Sequence, residues 1–295
     1  MDIRGVVVPL ITPLRPDQTL DEDALGRLVE HVIAGGVVGI FVLGSSGEGP
    51  ILTPQIREQV VREVKTLASG RVPVLAGLFD LSTKSTAQEA ERLAAWGADA
   101  ITVTAPCYFS HTQDEIYGHI ASMALSAPVP TMIYNIPQMT KTIIEPETVE
   151  RLAGLPSVIG LKDSAGDMVR FQRHLALQRD GFTVYQGAEG LAALSVARGA
   201  RGAVLGLANV APALCSDLYR AASQGDLVMA WALQERLQRL WHLHTHGQWL
   251  PCLKAAVSQL GLCNPMPCAP FAQVDDAAIA QIRRDMQAAG VLLQP

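Results

Sequence analysis

The sequence predicts an α/β fold: a (β/α)8 TIM barrel followed by a helical C-terminal extension. Three observations predict it. Short apolar runs alternate with amphipathic helical patterns eight times along the chain. The runs are apolar throughout rather than alternating in polarity, as strands buried on both faces must be. The chain has 295 residues, 49 % of them hydrophobic, which suits a barrel built as one unit better than two average domains.

The elements follow in order. Val6-Val7-Val8 reads as the first strand, and Thr19-x-x-Glu22 has capping-box spacing before a helix that Gly35-Gly36 should stop. Ile40 to Leu43 is the second strand. Thr53-Pro54 then supplies a cap residue and a first-turn proline for a helix through Leu67. Further strands are expected at Val74 to Ala76, Ala100 to Val103, Thr131 to Tyr134, Val158 to Leu161, Thr183 to Tyr185 and Gly202 to Leu205. The helical patterns between and after them run near Thr83 to Trp96, Glu115 to Ser126, Pro146 to Ala153, Asp167 to Leu177, Glu189 to Arg198 and Pro212 to Ser223. From Asp226 onward only helices are expected. The barrel is therefore assigned to residues 1–225 and the extension to 226–295.

Charge and composition exclude several classes. The net charge is −5 and no basic cluster stands out, which argues against nucleic acid and anionic membrane as partners. The longest apolar segment, Gly35 to Gly44, is too short to span a bilayer, and Met1 to Leu10 lacks a signal-peptide layout. The five cysteines are scattered and odd in number, which reads as reduced thiols in a cytoplasmic protein.

In such barrels chemistry sits at the C-terminal ends of the strands. Two runs there are the most informative: Tyr134-Asn135-Ile136-Pro137 and Gly160-Leu161-Lys162-Asp163-Ser164. An ammonium at the end of an apolar strand is costly to keep charged, which favours a free amine able to attack a ketone. Of the five lysines only Lys162 directly follows an apolar run, so it reads as a Schiff-base lysine. A lysine there can also snorkel and pair with Asp163. Tyr134, one strand earlier at the same end, favours the imine reading because imine formation needs proton transfers.

Other strand ends add polar groups. Gly44-Ser45-Ser46-Gly47-Glu48-Gly49 after the second strand could hold a carboxylate through hydroxyls and backbone N–H groups. Pro106-Cys107-Tyr108 follows the fourth strand, Ser164 the sixth and Gly187-Ala188-Glu189 the seventh, while Val204 of the eighth should face the centre. Together they suit a 2-oxo acid, with no metal and no cofactor beyond the covalent imine on Lys162.

With these motifs in order, the chain resembles the dihydrodipicolinate synthase and N-acetylneuraminate lyase superfamily of class I pyruvate aldolases and dehydratases. The resemblance runs from Gly5-Val6-Val7-Val8-Pro9-Leu10-Ile11-Thr12-Pro13 through the motifs above to Lys254-Ala255-Ala256 and Leu260-Gly261-Leu262. It implies a homotetramer, a dimer of dimers, and it implies roles. Lys162 matches the imine-forming lysine and Tyr134 the proton-shuttling tyrosine. Ser45 and Ser46 match the carboxylate-binding pair, with Ser45 relaying protons to Tyr134. Tyr108 matches a tyrosine that in the synthase branch reaches across a dimer interface. Gly187 and Glu189 match a loop at the variable end of the substrate, and Val204 an apolar residue lining the imine.

Departures from the family pattern direct the choice of substrate. Where the lysine-pathway synthases carry an arginine for the aldehyde-bearing substrate, this chain has Met139, followed by Thr140 and Lys141. Leu81, Ser85 and Cys107 replace the asparagine, glutamate and tyrosine of the lysine-feedback pocket. The expected activity is therefore a Schiff-base aldolase or dehydratase acting on pyruvate or a hydroxylated derivative, such as a 2-keto-3-deoxy sugar acid or 4-hydroxy-2-oxoglutarate. The alternative is condensation of pyruvate with aspartate semialdehyde by a 4-hydroxy-tetrahydrodipicolinate synthase. A third reading, from another class, is a catalytically silent barrel that binds 2-oxo acids.

His242-x-His244-x-His246 resembles a metal run, but its alternation and the lack of nearby acidic partners in sequence favour a solvent-facing helix end. Trp231, Trp241 and Trp249 are expected to pack against the barrel or another subunit.

Overall fold

Every residue of the eight strands is buried, which explains their predominantly apolar character. In the computed structural model, which describes residues 3–291, the strands close a parallel barrel in sequence order. They are β1 (Gly5–Pro9), β2 (Gly39–Val42), β3 (Val74–Leu78), β4 (Ala100–Thr104), β5 (Thr131–Asn135), β6 (Val158–Asp163), β7 (Thr183–Gln186) and β8 (Gly202–Val204). Val7 opposite Val204 closes the ring. One set of strand residues, including Val7, Phe41, Leu75, Met132, Tyr134 and Val204, fills the barrel interior. The opposite set joins the helices in the larger core.

The helices start where capping chemistry allows. Thr53 accepts a hydrogen bond from the Ile56 amide, and Pro54 opens the helix Pro54–Ala68. The first helix is Glu22–Ala34, and Asp21 caps it instead of Thr19, whose hydroxyl donates to Asp17. Thr112 and Glu115 form a capping box, so the fourth helical pattern begins at Gln113, two residues before the expected start. Asp167 caps the helix Met168–Leu175 by accepting from the amides of Val169 and Arg170. The segment after β7 begins as a single 3-10 turn, Glu189–Leu191, before the helix Ala192–Ala197. A short helix, Pro137–Thr140, follows β5 where the sequence reading placed no element.

Beyond the helix Pro212–Ser223 come Leu227–Trp241, a 3-10 segment His242–His246, Trp249–Ser258 and Asp276–Ala288. This part of the chain is tied to the mouth of the barrel by a fully buried ion pair between Lys254 and Glu48. Lys254 Nζ also donates to the Met266 carbonyl at 2.8 Å, and Glu48 accepts from the Cys268 amide at 2.6 Å. Charges this deep need such partners. Lys162 is thus not the only buried lysine, which the sequence-level contrast among the five did not anticipate.

Candidate active site

Register sets the centre of the site. Tyr134 on β5 lies opposite Lys162 on β6, and Lys162 lies opposite Tyr185 on β7. A register shift at Thr131/Met132 lets Val158 pair with Thr131 while Gly160 pairs with Met132. Lys162 and Tyr134 are 4 % and 2 % exposed. The amine stands over the Tyr134 ring, 3.9 Å from its centroid, and 4.9 Å from that of Phe41. Phe41 and Phe79 meet Tyr134 edge-on at 6.0 and 6.4 Å, which fixes the phenol plane.

Asp163 turns away from this centre. It is buried and accepts from Asn135 Nδ2 and the Ala165 amide, each at 3.0 Å. The Lys162 amine instead faces the rings of Tyr134 and Phe41. Burial raises the Asp163 carboxyl above the ordinary carboxylate range. Its far oxygen lies 3.6 Å from Nε2 of the fully buried His174, which burial pushes down to about 4.

A cavity of about 600 Å³ opens over the amine. It gathers Ser45, Ser46, Tyr134, Lys162, Ser164, Gly187, Glu189 and Val204, eight of the ten residues expected at the site, from five different strand ends. The serine loop is held by its backbone. Leu43 and Glu48 both occupy the left-handed region, at φ 56° and 60°, and Glu48 N–H donates to the Ser45 carbonyl at 3.2 Å. Gly47 does not line the cavity. Its carbonyl accepts from the Thr12 hydroxyl at 2.7 Å, and a Cβ there would stand 2.9 Å from the Leu10 carbonyl oxygen, so its place is a packing requirement. Tyr108 is also outside: it is 80 % exposed and packs edge-on against the exposed Phe109 at 4.9 Å.

The match to a family model decides the relationship. A model of the dihydrodipicolinate synthetase family matches residues 2–289. The chain belongs to this family. It is 37 % identical over 293 residues to the 4-hydroxy-tetrahydrodipicolinate synthase of Phenylobacterium zucineum, with 98 % of each chain covered. It is 35 % identical to the enzyme of the same name from Methylococcus capsulatus, covering 98 % of this chain and 100 % of that one. Among solved structures it is similar to dihydrodipicolinate synthase from Bacteroides thetaiotaomicron, with a TM-score of 0.92, 37 % identity, and 97 % and 99 % coverage. It is also similar to the Acinetobacter baumannii dihydrodipicolinate synthase complexed with pyruvate, with a TM-score of 0.94, 28 % identity, and 98 % and 100 % coverage. The chain is accordingly a class I, Schiff-base lyase. These relatives back the synthase reading better than the expectation of a hydroxylated sugar-acid substrate. No helix among the described residues is long and apolar enough to cross a membrane.

Several residues at the site of this family member were missed by sequence reasoning. Gln238, Trp241, His244 and Trp249 of the C-terminal segment line the cavity. His244 is no solvent-facing helix end. Its side chain is 10 % exposed, its Nδ1 lies 3.1 Å from the Trp249 carbonyl, and its Nε2 lies 4.0 Å from Glu189 Oε2. His246 instead meets Asp285 at 2.7 Å. Glu189 accepts from the Leu207 amide at 2.7 Å, and burial raises its carboxyl to about 7. Gln234 clamps the same turn, donating to the Glu189 carbonyl at 3.0 Å and accepting from the Ala193 amide at 2.9 Å. Part of the signal was present in the sequence: Gln234, Gln238 and Trp241 recur at helical spacing on one face.

Proposed function

We propose that the protein uses pyruvate as the donor in a class I aldol reaction, through an imine on Lys162. The observation that carries this is the buried amine set over the Tyr134 ring at the floor of a cavity that also holds the serine pair. Ser45 and Ser46 hold the substrate carboxylate, and Lys162 Nζ attacks the C2 ketone. Tyr134, relayed through Ser45, protonates the departing hydroxyl, so water leaves and a protonated imine forms. The aromatic faces of Tyr134 and Phe41 stabilise that cation by roughly 2 kcal/mol in a desolvated site. Loss of a C3 proton gives the enamine. Its C3 attacks an aldehyde carbon, the new alkoxide takes a proton, and hydrolysis frees Lys162 and the extended 2-oxo acid.

The names of the relatives support aspartate semialdehyde as the aldehyde, making the protein a 4-hydroxy-tetrahydrodipicolinate synthase. A second reading rests on Met139: a thioether lines the cavity where a guanidinium would grip a carboxylate. It supports an uncharged, hydroxylated aldehyde and the corresponding hydroxylated 2-oxo acid. Incubating the enzyme with pyruvate and each aldehyde, and following product by mass spectrometry, tests the proposal. Condensation with neither class of aldehyde would refute it.

The exposed Tyr108 and Phe109 support assembly through the β4 loop. We read them as the surface by which a second copy brings Tyr108 to the proton relay, within a dimer of dimers. The free cysteines fit a cytoplasmic setting.

A further inference from the structure

The gap between Glu189 and His244 has the chemistry of a hydroxyl site. His244 Nδ1 faces the Trp249 carbonyl at 3.1 Å, and a carbonyl only accepts. The proton of the neutral ring therefore sits on Nδ1 and leaves Nε2 as an acceptor. Opposite it, 4.0 Å away, is Glu189 Oε2, too far for a direct hydrogen bond. Glu189 Oε1 is already committed to the Leu207 amide, which fixes the direction in which Oε2 points. Trp241 and Trp249 meet the imidazole edge-on at 5.9 and 6.4 Å and hold it in place.

Two acceptors facing one another across such a gap call for a donor between them. A hydroxyl oxygen placed off their line can stand about 2.8 Å from each. It donates to Nε2 or to the carboxylate, and it accepts from Glu189 when that group is protonated. Burial keeps the imidazole neutral, at about 4, which preserves Nε2 as an acceptor. Among the described residues lining this cavity, Lys162 is the only lysine or arginine, and imine formation uses it. A distal carboxylate would thus face Glu189 without a cation.

We infer that Glu189 and His244 form a subsite for a hydroxyl on the acceptor aldehyde, with His244 a specificity-determining residue supplied by the C-terminal segment. The inference rests on the pyruvate-donor reading above and deepens its second form.

The test compares kcat/KM for glyceraldehyde and for propanal, an aldehyde of equal length without hydroxyls, each with pyruvate. His244→Leu keeps bulk but removes the acceptor, and it should lower the glyceraldehyde-to-propanal ratio about tenfold, the worth of one hydrogen bond. His244→Asn, too short to reach the gap, should do the same and serves if the leucine variant does not fold. His244→Gln, whose amide oxygen can occupy the Nε2 position, should restore most of the ratio. A ratio unmoved by either truncation would overturn the inference. So would a wild-type preference of tenfold or more for aspartate semialdehyde over glyceraldehyde. Deuterium exchange into the pyruvate methyl group, followed by NMR on the wild type, separates the two levels. Exchange with an unmoved ratio overturns the subsite alone, and no exchange overturns the pyruvate reading with it.

Discussion

Lys162 Nζ stands 3.9 Å from the centroid of the Tyr134 ring, and the two residues are paired in register across β5 and β6. The pairing is a backbone property. It brings amine and phenol together through two rigid strands rather than through loops, as accurate proton transfer requires. Tyr134→Phe keeps the ring and the cation–π contact but removes the hydroxyl. The expected result is a loss of about 10²- to 10⁴-fold in kcat, with the thermal midpoint changed little. A kcat within threefold of wild type would remove Tyr134 from the proton relay.

Met139 lines the cavity and is 46 % exposed, so it has room to be exchanged. Met139→Arg places a bidentate carboxylate partner there. It should raise kcat/KM for aspartate semialdehyde about tenfold while leaving uncharged aldehydes without such a gain. Equal effects on both would show that position 139 does not read the distal group.

The Glu48–Lys254 pair joins the serine loop to the C-terminal segment with both side chains fully buried. Removing one partner leaves an uncompensated charge, so Lys254→Met should cost about 3–5 kcal/mol. Combining it with Glu48→Leu should cost less than the sum of the two single changes. Denaturant unfolding of the four proteins measures the coupling, and strict additivity would contradict it.

His174 contributes to acid sensitivity. Its folded-state pKa, about 4, lies below the ordinary 6.5, because burial disfavours the imidazolium. The stability it lends is present above 6.5 and is lost as pH falls toward 4. Glu189, raised from 4.5 to about 7, acts with the opposite sign over the same window, so the total slope is a poor measure. Between pH 7 and pH 5 the wild type should lose about 2 kcal/mol more than His174→Phe. Equal losses would place the titration elsewhere.

The barrel and the imine centre were legible in the sequence because strands buried on both faces have a strong apolar signature, and Lys162 interrupts one of them. Helix starts were legible where a cap stood alone, as at Thr53, and misread where two candidates competed, as at Thr19 and Asp21. His244 was hidden for a different reason. Its acidic neighbour is Glu189, far away in the chain, and the two meet only because the Leu227–Trp241 helix lies across the β7 turn. Lys254 was hidden likewise, since its partner Glu48 sits beyond β2. Local pattern reveals elements and strand ends, whereas contacts between the extension and the barrel mouth depend on tertiary packing.

The central claim is the imine on Lys162, and borohydride trapping with pyruvate tests it most directly. Intact mass and peptide mapping should show one pyruvate-derived adduct per chain, located on Lys162 and absent from Lys162→Ala. No adduct at saturating pyruvate, or an adduct that persists in the alanine variant, would contradict the account.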